Sequence, residues 1–486
     1  KKSLIEQLDA VSDKIERNPS EYKNQKGESK PLMDVLYEEG ILPTYSFPKD
    51  VVSFYIEDKK GEKVDQRPDR SLDLAISDYA PGRTVVVDKK TYKSGGIYNF
   101  HSKFRYGYYE KPARPYFASK DYFKNIYFCK NESCGWFDID PPKDNQCPFC
   151  GSQDIELQYM LKPWGFAPQN AKSIPESQAE NEMSYAEEPC YSATPSREDM
   201  QETGFVNIKK AKRADQPLIV LNKGPNGKGF NVCKDCGAAI TGERKFESRI
   251  KKPFRHPRVF KECPHNDFEN VVLGHNFMTD MAIFEFTIDR NRVNTDSDDL
   301  WINTAAISLA EAMLLAAGRV LDIEFNEIRS GYRLRYSPHL AFVDIFLFDS
   351  LSSGAGYSSE IANRSSELFA KIEYILKECK CTSSCHECLN HFWNQRVQNK
   401  LDRHMAMQLL QWGKDGTVVD GFDIKQQYEI FRPIKELLDL DGIFTTTIDK
   451  TGIKVSRDGV NEKGVFIYPA MWNKDSPKIP EGMIAL

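Results

Sequence analysis

Residues 379–388 read CKCTSSCHEC, placing Cys379, Cys381, Cys385 and Cys388 within ten positions. Helix-like segments at about 357–378 and 399–413 flank the cluster. A loop this compact can wrap four thiolates around one tetrahedral ion, and with no position left for water such a site is structural rather than catalytic. An iron–sulfur cluster also takes four cysteines, but its spacings usually leave the fourth ligand distant.

Working outward, the pattern recurs. FCKNESCGWF…CPFC supplies Cys129, Cys134, Cys147 and Cys150 on two turns, the arrangement of a four-cysteine zinc ribbon. Cys233 and Cys236 form a third knuckle in VCKDCGAA, and Cys263 follows in FKECPH. Its fourth ligand is expected to be a histidine. His265, two residues after Cys263, makes a cramped chelate, so His256 with its freer loop is preferred and His265 is the rival. His275 reads as structural and Cys190 as a solitary thiol. Eleven of the twelve cysteines thus sit in three clusters, which favours metal thiolates in a reducing compartment over disulfides. The expected cofactor is zinc, two to three ions.

The chain has 486 residues, enough for about three domains. A hydrophobic share of 40% and a charged share of 28% suit a soluble protein. At a net charge of -5 no global basic field announces a polyanion, so any nucleic-acid contact must be local. No apolar run is read as approaching the ~20 residues of a membrane span, and no signal-peptide pattern opens the chain. No membrane partner is expected, and the location implied is cytoplasmic. The start at Lys1, already inside helix-like sequence, suggests a chain cut from something longer.

The expected class is α+β and multidomain, with zinc-ribbon-like insertions on small β-rich domains followed by an α/β zinc-binding domain. A helical and extended entry segment covers 1–80, including amphipathic helix over 1–40. A β-rich domain with the four-cysteine ribbon spans 81–168, and a polar connector 169–202. A β-rich zinc-binding segment covers 203–300. The domain of the last cluster spans 301–420, with its clearest helix over 303–319 and a strand at 339–349. A small α+β tail completes the chain at 421–486.

No GxxxxGK[ST] loop or GxSxG elbow is present. GPNGKGF (224–230) lacks both the spacing and the hydroxyl that would hold magnesium. Ser352 and Ser353 lack partnered His and Asp in recognisable order, so no catalytic residue is assigned. Three stretches interleave cations with rings: HSKFRYGYYEKPARPYF (101–117), ERKFESRIKKPFRHPR (243–258) and IRSGYRLRY (328–336). That mixture suits a single strand, whose phosphates attract cations and whose bases stack on rings. The candidate contacts are Lys103, Arg105, Tyr106, Lys251, Lys252, Arg255, Arg333 and Arg335; the bland reading is solvated surface.

The last cluster follows DSLSSGAGY (349–357) and precedes LDRHMAMQLLQ (401–411). This arrangement resembles the mitomycin repair factor A-like zinc-binding domain, which also occurs in the DISARM anti-phage system. ILPTYSFP (41–48), YAPGRTVVVD (79–88), KPWGFAP (162–168) and LGHNFMTD (273–280) are similar to the region after the motor domains of superfamily 2 DNA helicases of this kind. Ser353-Gly354 stands where that family commonly has Gly-Gly. The resemblance implies a zinc-stabilised module that helps an ATP-dependent helicase engage DNA, in phage defence or DNA repair. The motor lobes are absent from this sequence, so the ATPase would lie in the same parent chain or in a separate subunit. The competing class is a motor-less interaction subunit that docks such an ATPase without touching DNA. A nuclease or hydrolase hidden in 420–486 is a third.

Overall fold

The computed structural model describes Ser12 and residues 51–105, 111–131, 134–175, 182, 184–185, 199–246, 251–255, 262–296, 300–325, 327–350, 354–395, 397–449, 452–457 and 460–486. The entry helix expected over 1–40, apart from Ser12, and Tyr106, Cys190, His256, Ser352 and Ser353 lie outside the described residues.

The class is α+β. A ten-stranded sheet dominates the described residues. Its named strands are β1 (Phe123–Cys129), β2 (Ile155–Leu161), β3 (Ile208–Asn222), β4 (Phe230–Cys233), β5 (Phe268–Asp289), β6 (Ile328–Tyr336) and β7 (Leu340–Asp349). The 22-residue β5 is the spine. Along one edge it pairs antiparallel with β3 and then β4; along the other it meets β2 in parallel and β7 antiparallel. β6 closes a hairpin on β7.

Period-two alternation explains why β5 is buried on both faces. Ala282, Phe284, Phe286 and Ile288 belong to the main helical core. Met281 and Ile283, alternating with them in sequence, join Ala211, Leu218, Phe346 and Phe348 in a separate cluster. The borders expected at 168, 202 and 300 therefore fall inside one hydrogen-bonded sheet that gathers β1 and β2 with β3, β5 and β7. A strand's hydrogen-bonding partner can lie a hundred residues away, which composition along the chain does not report.

Helix α1 (Leu300–Leu321) covers the region expected to be the clearest helix. By length and composition Trp301–Leu321 could cross a membrane, an amendment to the expectation that no apolar run approached that length. Here its Trp301, Leu309 and Met313 lie fully within the core. Its alanines, Ala305, Ala306, Ala312, Ala316 and Ala317, let neighbouring backbones approach on several sides, and all five are buried.

Helices α2 (Tyr357–Asn363), α3 (Ser365–Glu378) and α4 (Arg403–Asp415) complete that layer. Asp402 caps α4 by accepting from the N–H groups of His404 and Met405 at 2.7 and 3.0 Å, while Gly416 ends it with φ at 75°. At Gly413 an added Cβ would sit 2.6 Å from Phe286, so α4 lies against β5 only because that side chain is missing.

The last described segment combines a helix with a small sheet. Helix α5 (Ile424–Asp441) packs with the antiparallel meander β8 (Phe444–Asp449), β9 (Gly452–Arg457) and β10 (Val460–Phe466). It is tied to the main body where Asn294 N–H donates to Met471 O at 2.9 Å and Trp472 Nε1 donates to Val419 O at 2.8 Å.

Candidate metal centres

Each cysteine cluster closes into one four-ligand set, with its ligand atoms all within 4.8 Å of one another. In the first, Cys129 ends β1, and its Sγ lies 3.5 Å from that of Cys150; Cys134 and Cys147 are 3.4 Å apart. Zn–S bonds of ~2.3 Å at tetrahedral angles would give S···S near 3.8 Å, whereas a disulfide needs ~2.05 Å. The knuckle is held by Gly151 N–H donating to Cys147 O at 2.8 Å and Phe149 N–H to Cys147 Sγ at 3.4 Å. The hydrogen bond between Cys134 and Cys147 pushes the Cys147 thiol down and the Cys134 thiol up. Trp136 is buried beside Cys134 and Cys147, a small core of the ribbon's own.

The middle set is Cys233, Cys236, Cys263 and His265. Cys233 and Cys263 lie 3.7 Å apart, and Cys236 Sγ is 3.5 Å from His265 Nδ1. Among the described residues the fourth ligand atom comes from His265, the rival histidine, while the preferred His256 lies outside them. Two residues after Cys263, His265 takes a left-handed φ of 52°. Phe246 stacks on that imidazole at 4.8 Å. Gly237, with φ at 79°, makes the knuckle turn, where a Cβ would meet Ile97 O at 2.2 Å.

The third set is Cys379, Cys381, Cys385 and Cys388. Cys379 is the C-cap of α3, so the loop begins where the helix stops. Cys379 and Cys385 are 3.4 Å apart, Cys381 and Cys388 3.6 Å. Cys379 and Cys388 are buried as members of the main core. Arg403, to which the sequence reading gave no role, clasps the loop. Its Nε donates to Cys381 O at 2.9 Å and its Nη1 to Leu376 O at 3.0 Å. A cation in the first turn of a helix opposes the helix dipole, and that was the legible hint that Arg403 answers to another partner.

Three closed thiolate or thiolate–imidazole sets fit zinc in structural roles. Among the described residues eleven cysteines are free, each of them in one of these sets.

Of the candidate nucleic-acid contacts whose side chains are described, all but Lys251 are buried or half-buried, while Lys111, Arg114, Arg244 and Lys245 of the same stretches stay exposed. Lys103 is fully buried, donating to Glu57 Oε1 at 2.9 Å and Gly61 O at 2.6 Å. Lys252 is buried over the Phe254 ring. Arg255 donates to Ala171 O at 2.8 Å. Arg333 and Arg335 both bind Asp344 at 2.8 Å, and Arg335 also binds Glu285. Spaced two apart on β6, the two arginines share one face, and opposite Arg333 on β7 stands the carboxylate of Asp344. Lys251 remains exposed, while Tyr106 and the side chain of Arg105 lie outside what is described.

Residues 309–389, which contain the third cysteine set, match the family model of the MrfA Zn-binding domain. The chain carries an MrfA-like zinc-binding region. It is 31% identical over 469 residues to the Druantia protein DruE of Escherichia coli strain UMEA 4076-1, a match covering 90% of this chain and 25% of that protein. The chain therefore spans about a quarter of the length of that curated relative. Two crystal structures of the DUF1998 helicase MrfA are also similar. The one bound to DNA gives a TM-score of 0.38 at 10% identity, covering 80% of this chain and 40% of that one. The one bound to DNA and AMPPNP gives 0.30 at 8% identity, covering 80% and 38%.

Proposed function

We propose that this chain is a zinc-built module of a helicase-related protein in anti-phage defence, where it engages DNA, preferentially single-stranded, beside an ATP-dependent superfamily 2 motor. The observation carrying this reading is the coincidence of two matches: the MrfA-type cysteine loop lies inside a sequence 31% identical to the Druantia protein DruE over 469 residues. Three zinc ions would fix the ribbon, the middle knuckle and the 379–388 loop in place. The motor belongs to the same parent chain or to a partner subunit, and a reducing, cytoplasmic setting suits the free thiols.

A second reading is a docking platform that never touches DNA, favoured by the inward turn of Lys103, Lys252, Arg333 and Arg335. Binding of the zinc-loaded chain to labelled single-stranded and duplex DNA, at two salt concentrations, separates the two. The module should bind single strands more tightly and weaken steeply with salt, as counterion release demands. Absence of salt-dependent binding selects the docking platform.

A further inference from the structure

Just beyond the third cysteine set, Phe392 and Trp393 are 73% and 54% exposed, with ring centroids 5.4 Å apart and planes at 86°. The backbone beneath them is held from several directions. His391 caps their short 3-10 turn, its Nδ1 accepting from Trp393 N–H at 3.2 Å and its own N–H donating to Asn394 Oδ1 at 2.9 Å. His391 Nε2 meets Glu311 Oε2 of α1 at 2.6 Å. Asn394 Nδ2 donates to that same oxygen at 3.1 Å and to Leu389 O at 2.9 Å. Leu389 follows the ligand Cys388, and both are buried. The turn is thus anchored to the core helix on one side and to the cysteine loop on the other, while its two largest side chains face solvent.

Leaving two rings in water forgoes the stabilisation that burying them would give, so a fixed base beneath exposed rings is a presented surface rather than a fraying end. Its surroundings point to the ligand. Lys380 and Lys400 are exposed nearby in sequence. Of the two acidic groups in 380–404, Asp402 is used in capping α4, leaving Glu387 exposed. Two exposed rings in a segment that also exposes Lys380 and Lys400 match the faces of bases and the charge of a phosphate backbone.

We propose that Phe392 and Trp393 form a stacking site for unpaired nucleobases, oriented by the third zinc loop. This rests on the nucleic-acid reading above and names where that reading acts. The test uses the full chain with F392A/W393A and W393F variants. Zinc content is checked first. Affinity is then measured for an oligothymidine and for the same strand carrying abasic sites. The double variant should lose at least about tenfold in affinity for the intact strand, and W393F should stay near the parent. Abasic sites should weaken the parent but leave the double variant's residual binding unchanged. Parent-like binding by the double variant would overturn the stacking site while leaving the DNA reading intact. A parent that binds neither strand in a salt-dependent way would overturn both.

Discussion

The guanidinium of Arg333 lies over the ring of Phe149, 4.6 Å from its centroid. Phe149 sits between the ligands Cys147 and Cys150, and Arg333 is the β6 residue that binds Asp344. The tip of the first zinc ribbon therefore closes over the polar face of the β6–β7 hairpin. The ribbon is a buttress of the sheet, and a chemical change in the hairpin should be felt without any loss of metal.

Asp344 is fully buried between Arg333 and Arg335. Asp344→Asn would leave two inward guanidinium groups short of their counter-charge, costing roughly 3–5 kcal/mol. Chemical denaturation of a zinc-replete sample should register that loss with metal content unchanged. Burial alone would raise the Asp344 carboxyl, but the two arginines outweigh it and hold it below its ordinary value. Its stabilising contribution is therefore present above the unfolded value of ~3.9 and is lost as pH falls through the lower folded value. The Asn variant should lack that acid-induced step.

The middle site has two histidine candidates, His265 and His256. His265→Ala should lower the metal content by about one zinc per chain, because a Cys3His set loses its fourth corner. His256→Ala should keep the parent's zinc. Elemental analysis of the purified variants decides it, and the reverse pattern would return the ligand role to His256.

At the third site, Cys385→Ser removes one thiolate from a loop whose neighbours Cys379 and Cys388 are core residues. Structural zinc contributes on the order of 10 kcal/mol to folding, so loss of the ion should loosen α3 and α4 together. Hydrogen exchange should show faster exchange in both helices. A variant as protected and as heat-stable as the parent would mean the loop holds no structural metal.

The same chain should turn over no ATP, since its sequence offers no phosphate loop or magnesium-holding hydroxyl at the required spacing. Steady hydrolysis that survives repurification would contradict this.

How much of this was legible in the sequence follows from the range of the interactions. The ligands of the first and third sets declared themselves because their spacing is itself the geometry of the site. His265 was legible only as the rival ligand, because the left-handed φ it adopts two residues after Cys263 is not written in the spacing. Arg333 and Arg335 of IRSGYRLRY read as surface because their partner Asp344 lies on the next strand. Asp344 in the middle of the apolar run LAFVDIFLF was the available sign, since a buried carboxylate needs a partner. Strand β5 was visible only as a β-rich block: its burial on both faces depends on β3, β4 and β7 arriving from remote parts of the chain.

The central claim is that zinc at three closed sites builds this fold, and metal stoichiometry tests it most directly. Elemental analysis of protein purified without chelators should find close to three zinc ions per chain, with cooperative unfolding when a strong chelator removes them. Iron in place of zinc, fewer than two zinc ions in undamaged protein, or a fold indifferent to their removal would contradict the account.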